Sequence, residues 1–226
     1  MGKQSIRETF ITSIIKNIVD GTYRIGDRIP PERDLSISMG ISRIIIHAGI
    51  VELNAKGLLR IVPRKGTFVN DYKLHGNMDL LSVMLTETTK LDTDIVQSMF
   101  DARKLLEVEF ASLAAMKGTE DNIAKLNQII MDEKKAKSVE EISTNDFSFH
   151  HEIAHATKNV IYPLIIKSME KTYLSFVQDF YNVITDWNIV ISSHEALLNA
   201  IKSHNQLMAV KIMLDILEFG ESRTLR

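Results

Sequence analysis

The chain has 226 residues, 45% of them hydrophobic and 25% charged, with 27 Lys+Arg against 29 Asp+Glu and a formal net charge of -2. These proportions fit a soluble globular chain with room for one large domain or two small ones, and they exclude collagen, long disorder and coiled-coil fibre. There is no cysteine, so disulfides, thiolate zinc fingers and cysteine nucleophiles are excluded, and any metal must be held by His, Asp or Glu.

The N-terminus, MGKQSIRETFITSIIKNIVDG, carries charges where a signal peptide is apolar, and no stretch approaches the roughly 18 to 20 uninterrupted apolar residues of a membrane span. A cytoplasmic protein without membrane contact is expected. Ile6, Phe10, Ile14, Ile15 and Ile18 recur at three- and four-residue steps, which predicts a first helix over 6–20, stopped by Gly21. Gly26-Asp27 is a turn, and Pro30-Pro31 fixes an extended approach to a second helix, from Pro31 or Glu32 to about Met39, where Gly40 breaks it. Ser42 can N-cap a third helix through about Lys56, with Gly57 as its stop.

Two short helices joined by a tight Gly-containing turn make a helix-turn-helix. LLRIV, the basic turn Arg64-Lys65-Gly66 and TFV then read as a hairpin, which after a helix-turn-helix is a wing. Residues 1–71 hold 11 Lys+Arg and 7 Asp+Glu, leaving 16 against 22 in the rest. A basic head on an acidic body suggests that only the head touches a polyanion.

GDRIPPERDL, GISR and ELNAKGLLRIVPRKGTFV together resemble the winged-helix domain of the GntR family of bacterial transcription regulators, between Ile14 and Val69. The resemblance implies that Arg33 and Arg43 contact operator DNA, that Ser42 lies near the backbone, and that Gly66, flanked by Arg64 and Lys65, approaches the minor groove. In such domains the second helix of the motif enters the major groove, where arginine can bond bidentately to guanine. The chain departs from the family after the Ser-Arg pair. Ile44, Ile45 and Ile46 replace small polar residues, and His47 stands where an arginine is usual. One isoleucine belongs in the core and the other two should face outward, with Ile44 and Ile45 able to touch thymine methyls. His47 is shorter and mostly neutral at pH 7, so a shifted operator sequence or weaker binding is expected.

From residue 79 onward the pattern is helical, with helices expected near 78–87, 94–117, 119–136, 138–157, 161–184, 188–203 and 205–221. A linker at 72–77 then separates a head at 1–71 from an all-helical domain at 78–226. The expected fold is mostly α: a winged helix-turn-helix of three helices and a hairpin, then an all-α bundle. Asp146 and His150 are four apart and share a helix face, a common half-site for Zn, Ni or Mn. His151 and His155 are also four apart but occupy the next register, and His204 falls in a turn where exposure is expected. Met99, Phe100, Phe110, Met116, Phe147, Phe149, Phe176 and Phe180 fall at helical spacing and are expected in the core.

FDARKLLEVEFASLAA, NDFSFHHEIAHATKN and SSHEALLNAIKSHNQLMAVKIM resemble the FCD domain of the FadR branch of GntR regulators. That resemblance implies an antiparallel bundle of six or seven helices around a cavity for a divalent metal and a small carboxylate effector. It adds His194 to Asp146 and His150 as a metal ligand. The family's fourth ligand, a histidine, aligns with Ile216, which cannot bind metal, so three ligands leave an open site or the cavity takes an organic ligand directly. Arg103 matches a family arginine that points into the cavity and could clamp a carboxylate. The competing reading is an intrahelical pair with Glu107. Asn159 fits both the family pattern and a helix C-cap.

The function expected is a ligand-responsive, DNA-binding regulator, a repressor rather than an enzyme, and a homodimer, since one winged helix covers only a half-site. Two rivals remain. In one, a metabolite- or metal-binding protein keeps a degenerate DNA-binding head. In the other, Asp146, His150 and His194 form a hydrolase's metal centre, with Glu152 or Glu195 as general base.

Overall fold

The computed structural model describes residues 5–77, 80 and 93–224. The chain divides into two compact units, Met1–Lys90 and Leu91–Arg226. The helix expected near 78–87 lies outside the described residues apart from residue 80.

In the first unit, α1 (Ile6–Val19) is opened by a capping box in which Glu8 N–H donates to Ser5 Oγ and Ser5 N–H donates to Glu8 Oε2. Helix α2 (Glu32–Met39) follows Pro31 and ends at Gly40, whose φ of 67° suits a residue without Cβ. Helix α3 (Arg43–Ala55) is capped by Ser42, whose Oγ accepts from Ile45 N–H. Strands β1 (Leu59–Val62) and β2 (Gly66–Val69) pair antiparallel, with Leu59 opposite Val69 and Val62 opposite Gly66. This is the helix-turn-helix with a two-stranded wing. Phe10, Ile14, Ile15, Ile46, Ile50 and Leu53 fill its core. Gly49 is required there, because a Cβ on it would stand 2.4 Å from Phe10 Cδ1. The stretch expected as a linker carries a one-turn helix, α4 (Tyr72–His75).

The second unit is helical throughout its described residues: α5 (Thr93–Lys117), α6 (Glu120–Glu133), α7 (Val139–Ala156), α8 (Tyr162–Ser168), α9 (Glu170–Val183), α10 (Asn188–Lys202) and α11 (Gln206–Thr224). Helix α7 is the centre of the bundle, packing against α5, α6, α8 and α9, while α11 packs on α5 and α10. Its buried stripe runs Ile142, Asp146, Phe149, His150 and Ile153, so the helical period that buries the apolar residues also buries the carboxylate and the imidazole.

Three expectations change. The helix expected over 161–184 is two helices meeting at Met169, whose N–H donates to Ile166 O, tightening the last turn of α8. There Ser168 Oγ also donates to the Ile165 carbonyl. Helix α6 stops at Glu133, three residues early, where Lys134 N–H and Ala136 N–H turn back on Ile130 and Glu133 carbonyls. Met116, expected in the core, is 49% exposed on the outer face of α5, while Met99 and the phenylalanines of the group are buried.

Candidate functional site

Arg33, Ser42, Arg43, His47, Arg64 and Lys65 are all exposed on the winged head, and Gly66 sits half-buried at the start of β2. Arg64 adopts φ 63° and Gly66 φ 121° to make the hairpin turn, and a Cβ at Gly66 would meet Arg28 Nε at 2.5 Å. His47 Nδ1 lies 2.8 Å from Glu32 Oε1, an acidic side chain on α2, so part of its hydrogen-bonding capacity is already engaged. Among the three isoleucines, Ile46 is fully buried and Ile44 is 83% exposed. Ile45 is not turned outward as expected: it is half-buried and packs against the core of the head. Arg33 Nε reaches only its neighbour Asp34, at 3.4 Å.

In the helical unit, Asp146 and His150 on α7 and His194 on α10 are all buried, and each offers a ligand atom within 4.8 Å of the others. His194 Nδ1 lies 2.9 Å from Glu133 Oε1 on α6, and its ring stacks on Phe149 with centroids 4.1 Å apart. Its other nitrogen, Nε2, is buried and without a hydrogen-bond partner. His150 Nδ1 stands 2.5 Å from Glu107 Oε2 on α5. The pair is charged only when the imidazole is protonated. Asp146 accepts from two hydroxyls, Tyr173 Oη at 2.5 Å and Tyr181 Oη at 2.8 Å, which leaves a lone pair on each carboxylate oxygen.

Arg103 on α5 completes this cluster. Its Nε donates to Glu107 Oε1 at 2.6 Å and its Nη2 to Tyr173 Oη at 3.2 Å, with the guanidinium 4.4 Å above the Tyr173 ring. The intrahelical pair with Glu107 therefore forms, and Arg103 also lines the cavity. Burial pushes the Glu107 carboxyl up, but Arg103 and His150 beside it prevail and hold it at about 2. Burial alone would lower the His194 imidazole, yet Glu133 against it wins and raises it. Burial most of all pushes both tyrosine hydroxyls up, with Asp146 adding to it and, at Tyr173, Arg103 opposing, so they stay protonated as donors.

This donor set suits a divalent cation. Glu107, Glu133 and Asp146 bring three carboxylates into the interior against one guanidinium, and with both histidines neutral the cluster carries two uncompensated negative charges. Carboxylates behind both imidazoles are the usual means of fixing a ligating histidine's tautomer and orientation. An unpaired buried nitrogen on His194 is a cost that coordination would remove.

A cavity of about 190 Å³ adjoins the cluster. Arg103, Asp146, His150 and Tyr173 contribute its polar wall, whereas His194 is fully buried and lies outside the wall. Ile216, which the family resemblance aligns with a fourth ligand, lines the cavity. Phe100, Phe176 and Phe180, expected only as core, line it as well.

The remaining candidates are occupied elsewhere. Glu152 Oε1 accepts from Asn122 Nδ2 and Glu195 Oε1 pairs with Lys134 Nζ, and neither lines the cavity. His151 and His155 contact each other, His204 caps Ala115 O through Nδ1 from an exposed turn, and Asn159 Oδ1 accepts from Ile161 N–H after α7. Sequence reasoning missed Glu107 as a partner of His150, and missed Glu133, Tyr173 and Tyr181 altogether. Each lies on a helix other than α7, and no spacing in the sequence ties it to Asp146 or His150.

Residues 7–69 match the family described as bacterial regulatory proteins, gntR family, and residues 98–219, more than half of the chain, match the FCD domain. Among curated proteins, the HTH-type transcriptional regulator Mce2R of Mycobacterium tuberculosis is 25% identical over 97% of this chain and 92% of its own. The HTH-type transcriptional regulator LutR of Bacillus subtilis is 25% identical over 87% and 91%, and the Uxu operon regulator of Haemophilus influenzae 27% over 93% and 79%. Of solved structures, the Listeria monocytogenes protein Lar, described as controlling expression of the agr system, superposes with a TM-score of 0.71 at 13% identity, covering 99% of this chain and 98% of that one. No single helix among the described residues is long and apolar enough to cross a membrane.

Proposed function

Since the chain belongs to the GntR family of bacterial transcription regulators, in the branch that carries an FCD domain, we propose that it is a cytoplasmic, homodimeric repressor controlled by a small carboxylate effector. The families and relatives it matches are transcription regulators, not enzymes. Arg43 and His47 on α3 read base edges in the major groove, Arg33 and Ser42 hold the backbone, and Arg64, Lys65 and Gly66 bring the wing to the neighbouring groove. A dimer supplies the second half-site at fixed spacing.

The observation that carries the effector side is the buried trio of Asp146, His150 and His194 with an unpaired His194 Nε2. These three residues would hold one Zn, Ni or Mn ion. When bound, such an ion supplies a Lewis-acidic position for an effector carboxylate. Glu107 and Glu133 orient the two imidazoles, and Arg103 adds positive charge beside the carboxylate. Because Arg103 also bonds Tyr173 on α9, an acid seated there bears on the packing of α5, α7 and α9 together. Binding then favours a head spacing that fits the operator less well.

Elemental mass spectrometry of protein purified without chelator or metal-affinity tag tests the site, with about one metal per chain the result expected of three ligands on one ion. No metal after soaking in zinc, nickel and manganese would overturn the metal reading. Retention of the protein's own upstream DNA, weakening steeply with salt and lost in Arg43→Ala, tests the head.

A further inference from the structure

The wall of the cavity away from the Asp146 cluster is apolar and aromatic, with Phe100, Phe176, Phe180 and Phe219 joined by Val177 and Ile216. The few polar groups among them offer no spare donors. Ser193 Oγ donates to the Ile189 carbonyl at 3.0 Å and Thr224 Oγ1 to the Gly220 carbonyl at 2.9 Å, so both hydroxyl protons are committed within their own helices. Asp215 is an acceptor with a negative charge, and Arg103 is engaged by buried Glu107. A second carboxylate on an effector would meet Asp215 with no free cation among the described lining residues, and ring or chain hydroxyls would be buried against phenyl rings.

We infer that the effector is a monocarboxylic acid of about six to eight carbons with an apolar body, because an apolar cavity near 150 Å³ accepts benzene and this one measures about 190 Å³. The inference rests on the carboxylate-effector reading above and adds the chemistry of the body. The apolar wall, Ile216 included, selects alkyl or aryl acids over hydroxylated and dicarboxylic acids. Each methylene buried against this wall should strengthen binding about fourfold, the ~0.8 kcal/mol of a buried CH₂ at 1.4 kcal/mol per tenfold.

Titration calorimetry on the full-length, zinc-loaded protein tests this with acids matched in length: hexanoate and phenylacetate against gluconate and adipate, and the series from butanoate to octanoate. Hexanoate and phenylacetate should bind at least tenfold more tightly than gluconate and adipate, with affinity rising along the series. Equal or tighter binding of gluconate or adipate, a flat series, or no binding of any acid to protein that retains its zinc would overturn the inference. Val177→Thr keeps the shape of the wall while adding a hydroxyl, and should weaken hexanoate by about three- to tenfold without changing zinc content. Repeating the series on chelated protein separates the two claims. If the apolar acids bind there unchanged, with the same rise along the series, the metal anchor fails and the apolar-body inference stands. Loss of their binding supports both.

Discussion

The two units place their candidate site residues in opposite ways. The winged head keeps Arg33, Arg43, His47, Arg64 and Lys65 on its surface over a core of isoleucine, leucine and phenylalanine. The helical unit keeps Asp146, His150 and His194 inside, and every buried polar or charged residue among those described lies between Glu107 and His194. The recognition proposed for the head thus falls to exposed side chains, whereas in the body the proposed site is part of the core. Variants should separate function from stability in the first unit and fail to do so in the second.

The largest effect is expected from Arg103→Ala. It strands Glu107, 1% exposed, next to His150 with no guanidinium, and loss of one partner of a buried ion pair costs about 3–5 kcal/mol. Denaturant unfolding should show that loss. Arg103→Ala/Glu107→Gln, which removes both charges, should recover most of it. Recovery of none would mean that packing on Tyr173, not charge, holds the pair.

Gly49→Ala asks whether the head can be disturbed as deeply without touching a recognition residue. The added methyl overlaps Phe10, and overpacking of this kind costs about 1–3 kcal/mol. Thermal unfolding of the head should shift downward while base preference, measured where the head is still folded, stays as it was. Arg43→Ala is the converse. It should leave the unfolding midpoint within the scatter expected of a surface change, about 0.5 kcal/mol, yet remove about 1–3 kcal/mol of sequence discrimination. Should Arg43→Ala unfold the head, the contrast between the units would collapse.

The same contrast decides what the sequence made legible. Head landmarks are local: Pro31 before α2, Gly40 at positive φ, Ser42 as the cap of α3 and Gly66 in the hairpin each act within a few residues of themselves. The Asp146–His150 half-site was legible for the same reason, since four residues are one turn of one helix. His194 lies on another helix and came only with the family resemblance. Glu107, Glu133, Tyr173 and Tyr181 arrive from α5, α6 and α9 through tertiary packing, and a carboxylate or tyrosine on a helix looks the same in sequence whether it faces solvent or an imidazole. The break at Met169 escaped because neither Gly nor Pro marks it. Met116 was misplaced because the long α5 carries apolar residues beyond its buried stripe, with Leu105 exposed as well.

The smallest effect concerns Ile44, and it bears on how a head with His47 rather than a long cation at that position of α3 would distinguish operators. Ile44 is 83% exposed on the same turn as Arg43, while Ile46 is fully buried and Ile45 half-buried, so one large apolar group stands on the exposed face of α3 proposed to enter the groove. His47, tied to Glu32, cannot supply a bidentate guanidinium contact. A thymine methyl is the apolar feature of the major groove, and burying one methyl-sized group is worth ~0.8 kcal/mol. An operator selected from random duplexes should therefore carry thymine opposite Ile44. Replacing that thymine by deoxyuridine removes only the methyl and should weaken binding about fourfold. Ile44→Ala should bind the thymine and deoxyuridine operators equally, which ties the methyl to this side chain rather than to DNA shape. Unchanged affinity of the native head for the deoxyuridine operator would show that Ile44 is merely exposed, leaving Arg43 to provide the discrimination.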